Sequence, residues 1–300
     1  MDLTALLEIW RARIPRRWAQ SPEIYRQLAA RILKLGEPLL AYDVLAEGLQ
    51  QQTQDLRLRQ LLALALARSG ATQRANAILN QLLHEGHIDS ETLGILARTH
   101  KDFALMTNDP IEWQTQLRTA FWFYHRGYQV TQENNGVGDY YTGINAAAMA
   151  LLLKERAIAN KLAMDVRKIC LEKLNNNISE DDSYWLPATL GEAAVILGDW
   201  AQAEDYYHQA AEQAQAKVAD LVATRRQARL LAEFLSGDRQ RFDDCFRIPQ
   251  VVVFAGHMID QPGRLQPRFP SQLEPAVYQE IAKQLDRLDA GFGYASAACG

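Results

Sequence analysis

The chain has 300 residues, about twice the usual single-domain size, so it holds either one elongated repeat domain or two compact ones. Lys plus Arg number 32 and Asp plus Glu 36, a net charge of −4 with no global field for nucleic acid. Hydrophobic residues at 48% and charged residues at 23% exclude wholesale disorder, and 43 Ala with 40 Leu point to a mainly α-helical protein.

The N-terminus reads MDLTALLEIW and then RARIPRR. Its apolar stretch precedes its basic one, the reverse of a signal peptide. The longest apolar runs, 61–67 and 146–153, fall far short of the roughly 20 residues that cross a bilayer. No membrane partner is expected, and the chain is expected to stay in the cytoplasm. Its three cysteines, at 170, 245 and 299, have neither the pairing nor the spacing of a disulfide framework or a zinc site, and reduced thiols with no bound metal are expected.

From residue 28 to 79 the sequence repeats with a period of 34. Gly36 and Gly70, Ala41 and Ala75, Leu45 and Leu79, Leu28 and Leu62, Ala29 and Ala63, and Ile32 and Leu66 all stand 34 apart. That period belongs to the tetratricopeptide repeat, two antiparallel helices A and B, with glycine taking the positive φ at the turn between them. Further along, His84 and His87 could share a helix face, but they lack the third ligand that a metal needs. Residues 112–127 carry a group of aromatics that point in different directions and read as packing. The ENNGVGD composition of 132–139 reads as loop. Helices follow over DYYTGINAAAMALLL and from about 157 to 174, then a loop over 175–183 and a helix from Trp185. LGEAAVILGDWAQAEDYYHQA (190–210) is a third clear copy, with Gly198 at the turn, Leu190, Gly191 and Ala194 in helix A, and Ala203, Tyr207 and Ala210 in helix B.

DYYTGINAAAM (139–149) and YWLPATLGEAAVILGDWAQAEDYYHQA (184–210) resemble the tetratricopeptide, TRAF-binding-type regulatory region of the apoptosis signal-regulating kinases and its bacterial relatives. The resemblance spans roughly residues 20–240, and YTGIN is its most specific string. It implies a non-catalytic helical scaffold that precedes a signalling domain. The kinase itself is missing, since no Gly-rich loop, HRD or DFG string occurs.

Five prolines between 249 and 275 mark a change of architecture, which places the domain boundary after residue 248: helical repeats over 1–248 and an α/β segment over 249–300. QVVVFAGH reads as a buried parallel strand over 251–255. Ser271 and Glu274 are spaced as a capping box, and Pro275 suits a first helical turn. Val277, Ile281, Leu285 and Leu288 form one apolar helix face, and a second strand begins at FGYASAACG. This is one βαβ unit, too small to own a core, so the segment is expected to be the start of an incomplete Rossmann-like domain. FAGHMIDQPGR, RFP and SAACG resemble the opening of SLOG-like sensor domains, which implies a nucleotide-derived ligand.

Two candidate sites follow. In tetratricopeptide arrays the concave face is lined by helix A, and by alignment of the first two copies Arg26, Lys34, Arg57, Gln60 and Arg68 fall on its solvent side. They would form a basic groove for an acidic peptide or protein segment. In the C-terminal segment, Gly256, His257 and the turn from Ser296 to Gly300 lie beyond strand ends, where open α/β sheets bind ligands. Asp260, Arg264 and Arg268 would join His257 around an anion. No catalytic group and no cofactor are encoded in these patterns. The expectation is a regulatory scaffold that binds protein and couples to a C-terminal signalling domain. The alternative is the N-terminal part of a nucleotide-sensing or nucleotide-cyclase enzyme.

Overall fold

The computed structural model describes residues 2–176, 179–214, 218–256, 258–288 and 290–295. The helical series opens with α1 (Leu3–Arg11) and α2 (Pro15–Trp18). Successive pairs follow: α3 (Pro22–Lys34) with α4 (Pro38–Gln51), α5 (Leu56–Arg68) with α6 (Thr72–His84), and α7 (Ser90–Met106) with α8 (Pro110–Asn135). Then come α9 (Tyr140–Leu152) with α10 (Arg156–Leu174), α11 (Glu180–Leu197) with α12 (Trp200–Ala214), and a last helix α13 (Val218–Ser236).

Helix ends show the repeat most directly. After α3, the Gly36 amide donates to the Leu33 carbonyl at 3.1 Å and the Glu37 amide to Ile32 at 3.2 Å. Gly70 with Ala71, Gly86 with His87, and Gly198 with Asp199 repeat that pair of bonds. This is the Schellman turn, whose left-handed residue satisfies carbonyls that the helix leaves open. Its φ lies between +82° and +91° in these four copies, where glycine carries no steric penalty. After α9 the same position is held by Lys154 at φ +66°, with Lys154 bonded to Leu151 and Glu155 to Ala150. Helix starts are closed chemically as well. Asp55, Asp89, Asp109, Asp139 and Ser179 each accept a hydrogen bond from an amide of the first turn.

Small residues set the packing distance between helices. Ala29, Ala41, Ala63, Ala75 and Ala203 are wholly buried. Tyr207 is also buried, and its ring lies where a Cβ on Gly191 would stand only 2.6 Å away. A Cβ on Gly143 would come within 2.6 Å of Val166 and 2.8 Å of Tyr128. No helix among the described residues is long and apolar enough to cross a membrane.

Two boundaries differ from the sequence expectation. α8 runs on to Asn135, because Gly136 at φ +74° supplies its cap through Gln132, so only 136–139 are loop. α11 begins at Glu180 rather than Trp185, because Ser179 caps it, and it carries Pro187 in its interior.

The chain divides into two compact units, Met1–Phe246 and Arg247–Gly300. In the second, β1 (Gln250–Phe254) pairs in parallel with β2 (Ala290–Ala295) across α14 (Glu274–Arg287). Val251 stands opposite Phe292 and Phe254 opposite Ala295, with an irregularity at Gln250. A Cβ on Gly291 would lie 2.0 Å from Cβ of Pro249, so that position accepts only glycine. The expected burial of the first strand is not met: Val251 is 57% and Val253 78% exposed, since two strands and one helix cannot cover both sheet faces. The expected capping box is absent too. Residues Ser271–Leu273 form a 3-10 turn and α14 has no side-chain cap, although Pro275 does occupy its first turn.

Candidate functional site

The first helices of three successive pairs, α7, α9 and α11, together with α13, turn polar side chains toward one cavity of about 190 Å³. Helical periodicity explains which residues arrive there. Arg98, Lys101, Asp102 and Leu105 fall on one stripe of α7, and Trp185, Ala188, Thr189 and Glu192 on one stripe of α11. α9 contributes Tyr141, Ile144 and Asn145, three of the five positions of the YTGIN string. α13 contributes Thr224, Arg226 and Gln227, and α8 adds Tyr124. Tyr141 can lie over α7 because Gly94 has no side chain: a Cβ there would meet the ring at 3.1 Å.

A chain of hydrogen bonds joins the four helices. Lys101 Nζ donates to Asn145 Oδ1 and to Gln227 Oε1, each at 3.2 Å. Gln227 Nε2 donates to Glu192 Oε1 at 2.8 Å. Asn145 is held in turn by donating Nδ2 to the Tyr141 carbonyl at 2.9 Å. Lys101 and Glu192 are thus bridged by an amide.

Burial works against both charges. It lowers the Lys101 pKa, with the Glu192 carboxylate opposing the shift. It pushes Glu192 up to about 7, opposed by the Gln227 hydrogen bond and by Lys101. Nearby, Arg98 and Asp102 stand 3.8 Å apart, and Arg226 is exposed. The rings of Tyr124 and Tyr141 meet edge to face with centroids 6.2 Å apart. Cations, one neutralisable carboxylate and flat aromatic surface together suit the binding of a compact anionic group.

The residues expected to form an N-terminal basic groove are dispersed among other contacts. Arg26 is bound to Asp55 and to Glu23. Arg57 pairs with Glu91 at 2.7 Å. Gln60 does not face solvent: it is 4% exposed and donates to Asp89 at 3.0 Å and Thr92 at 2.9 Å, so it fastens α5 to the start of α7. Arg68 is exposed at the end of α5 and reaches the Leu33 carbonyl at 2.8 Å. Lys34 is exposed on α3.

In the second unit, Asp260 knits its own loop. It accepts from the amides of Arg268 and Phe269 at 2.7 Å and from Arg264 Nη1 at 2.9 Å, which leaves Arg264 engaged within that loop. Gly256 is exposed, and His257, Ser296, Cys299 and Gly300 lie outside the described residues. Among the described residues no cluster of three His, Cys, Asp or Glu could hold a metal ion.

Sequence reasoning missed Arg98, Lys101, Glu192, Arg226 and Gln227. A signal existed for some of the site. Glu192 in LGEAAVIL and Asn145 in INAAAMALLL are lone polar residues in apolar runs, a pattern that on a packed helix calls for a buried partner.

A family model described as Tetratricopeptide Repeats-Sensor matches residues 39–151, from α4 to α9. That span includes Arg98, Lys101, Tyr141 and Asn145. Among solved structures, the chain is similar to a thermophilic tetratricopeptide-repeat protein of Thermus thermophilus, at 16% identity and a TM-score of 0.55. The match covers 69% of this chain and 98% of that one, and at such identity it shows the fold: a mainly α-helical tetratricopeptide-type array. A comparison with curated proteins finds no match.

Proposed function

We propose that this protein is a non-catalytic regulatory scaffold whose helical array binds a partner protein through a short acidic segment, anchored in the cavity between α7, α9, α11 and α13. The supporting observation is the convergence of Lys101, Asn145, Glu192 and Gln227, one from each of four helices, on one cavity. A purely structural array would fill that space with apolar side chains, because buried polar groups contribute stability only when fully paired. Arg68, at the end of α5, lies within electrostatic reach of Arg98 and Tyr141 and extends the cationic surroundings of the cavity toward the N-terminal repeats. The description of the matching family as a sensor, and the resemblance of YTGIN to the regulatory region of signalling kinases, support a role upstream of a signalling domain. The strand–helix–strand order of the second unit supports a Rossmann-type element as the recipient of that signal.

The test is an array of immobilised 12-residue peptides, acidic and neutral, probed with the full chain and with Arg226→Glu. Arg226 is exposed, so the substitution disturbs no buried packing. Preferential capture of acidic peptides, reduced at least tenfold in the variant, is the expected result. Equal capture of acidic and neutral peptides, or no effect of the variant, would refute the reading.

A further inference from the structure

We infer that the cavity holds a single carboxylate side chain of the bound segment, and that its occupancy is coupled to the arrival of one proton on Glu192. The inference rests on the reading of this cavity as a partner-binding site and adds the ligand group and its regulation.

Size selects the group. An apolar cavity of roughly 150 Å³ takes a benzene ring, whereas sites for drug-sized ligands run to roughly 300–1,000 Å³. A cavity of about 190 Å³ therefore accepts one side chain or a similarly compact anion. Charge selects its sign. Arg98, Lys101 and Arg226 line the cavity against Asp102 and Glu192, and Asp102 already lies beside Arg98. Lys101 has three ammonium protons, and its bonds to Asn145 and Gln227 use two of them. The third is available to an incoming carboxylate.

The amide of Gln227 is what ties that event to Glu192. Its oxygen is turned to Lys101 and its nitrogen to Glu192, so the two charges sense each other through a fixed bridge without direct contact. Other groups around Glu192 are Arg98, Lys101 and Asp102 from α7, the phenols of Tyr124 from α8 and Tyr141 from α9, Tyr207 from α12, and Arg226 from α13. None of the described α10 residues lines the cavity. Lys101 is the cation that stabilises Glu192 in its ionised form. A second carboxylate on Lys101 shares that cation and adds a like charge in a site of low dielectric, which raises the proton affinity of Glu192. Burial already holds this group near neutrality, so a modest further push completes protonation at neutral pH. The proton comes from solvent and forms the O–H bond of the Glu192 carboxyl, which offsets the added negative charge.

Calorimetry on the full chain tests this with the tightest acidic peptide from the array, in buffers of different ionisation enthalpy at pH 7.5. The expected result is uptake of between about half and three-quarters of a proton per peptide bound, with Kd rising up to tenfold per pH unit above neutrality. Glu192→Gln should bind with no proton uptake and a flat pH profile. If that variant fails to fold, the infrared difference spectrum of the unaltered protein serves instead, where a protonated carboxyl band must appear on peptide binding. Peptide binding with no proton uptake, or an unchanged profile in Glu192→Gln, overturns the coupling and leaves the scaffold reading standing. Absence of any peptide binding overturns both. Equal binding of the Glu→Gln peptide overturns the carboxylate assignment, as does preference for its phosphoserine counterpart or displacement by inorganic phosphate alone.

Discussion

Lys101 and Gln227 stand 126 positions apart in the chain and share a hydrogen bond of 3.2 Å. α7 and α13 are thus joined across the intervening repeats, which makes the cavity a property of the stack from α7 to α13. Replacing Gln227 by Leu leaves both Lys101 and Glu192 without their shared partner. The expected loss is about 1–3 kcal/mol of unfolding free energy, read as a lower urea midpoint with unchanged slope.

Glu192 makes stability depend on pH. Its pKa in the fold, about 7, lies above the usual carboxylate value, so the folded state binds the proton more tightly than the unfolded chain. The stabilisation is fully present below the ordinary carboxylate pKa and is lost as pH rises through about 7. Glu192→Gln removes this term. Between pH 5 and pH 8 its thermal midpoint should fall less than that of the unaltered chain, by several degrees, in scans at matched ionic strength.

Lys154 occupies the left-handed turn position that glycine fills after α3, α5, α6 and α11. Lys154→Gly is expected to stabilise the array by roughly 0.5–1 kcal/mol, since it relieves the Cβ clash of that conformation. Gly143→Ala should act in the opposite sense. Its new methyl meets Val166 and Tyr128 below 3.0 Å, at an expected cost of about 1–3 kcal/mol. Urea denaturation of the two variants side by side checks both signs.

Cys170 and Cys245 are buried, and burial pushes their thiols up to about 12 and about 11. Neither supplies thiolate at neutral pH. Iodoacetamide at pH 8 should therefore leave both unmodified in the native protein and label both in urea, as peptide mass mapping would show.

The 34-residue spacing of Gly36 and Gly70, and the placement of Gly198, Ala203 and Tyr207, were legible because turns and close helix contacts each demand a particular residue type. The end of α8 was not: ENN discourages helix locally, but a glycine cap lets the helix continue to its edge. The cavity residues escaped for a different reason. Arg26 and Arg57 carry the right charge for a groove, yet Asp55 and Glu91 lie within reach of them in space and take it up.

By itself the sequence determined the helical class, the repeat period, the turn positions and the change of architecture near residue 249. All of these rest on local conformational preference and on periodic burial, which a short window carries in full. Only the tertiary structure decided that Lys101, Asn145, Glu192 and Gln227 share one cavity. Hydrogen bonding and desolvation depend on distance in space, and no spacing along the chain encodes which of many polar residues on four separate helices will meet.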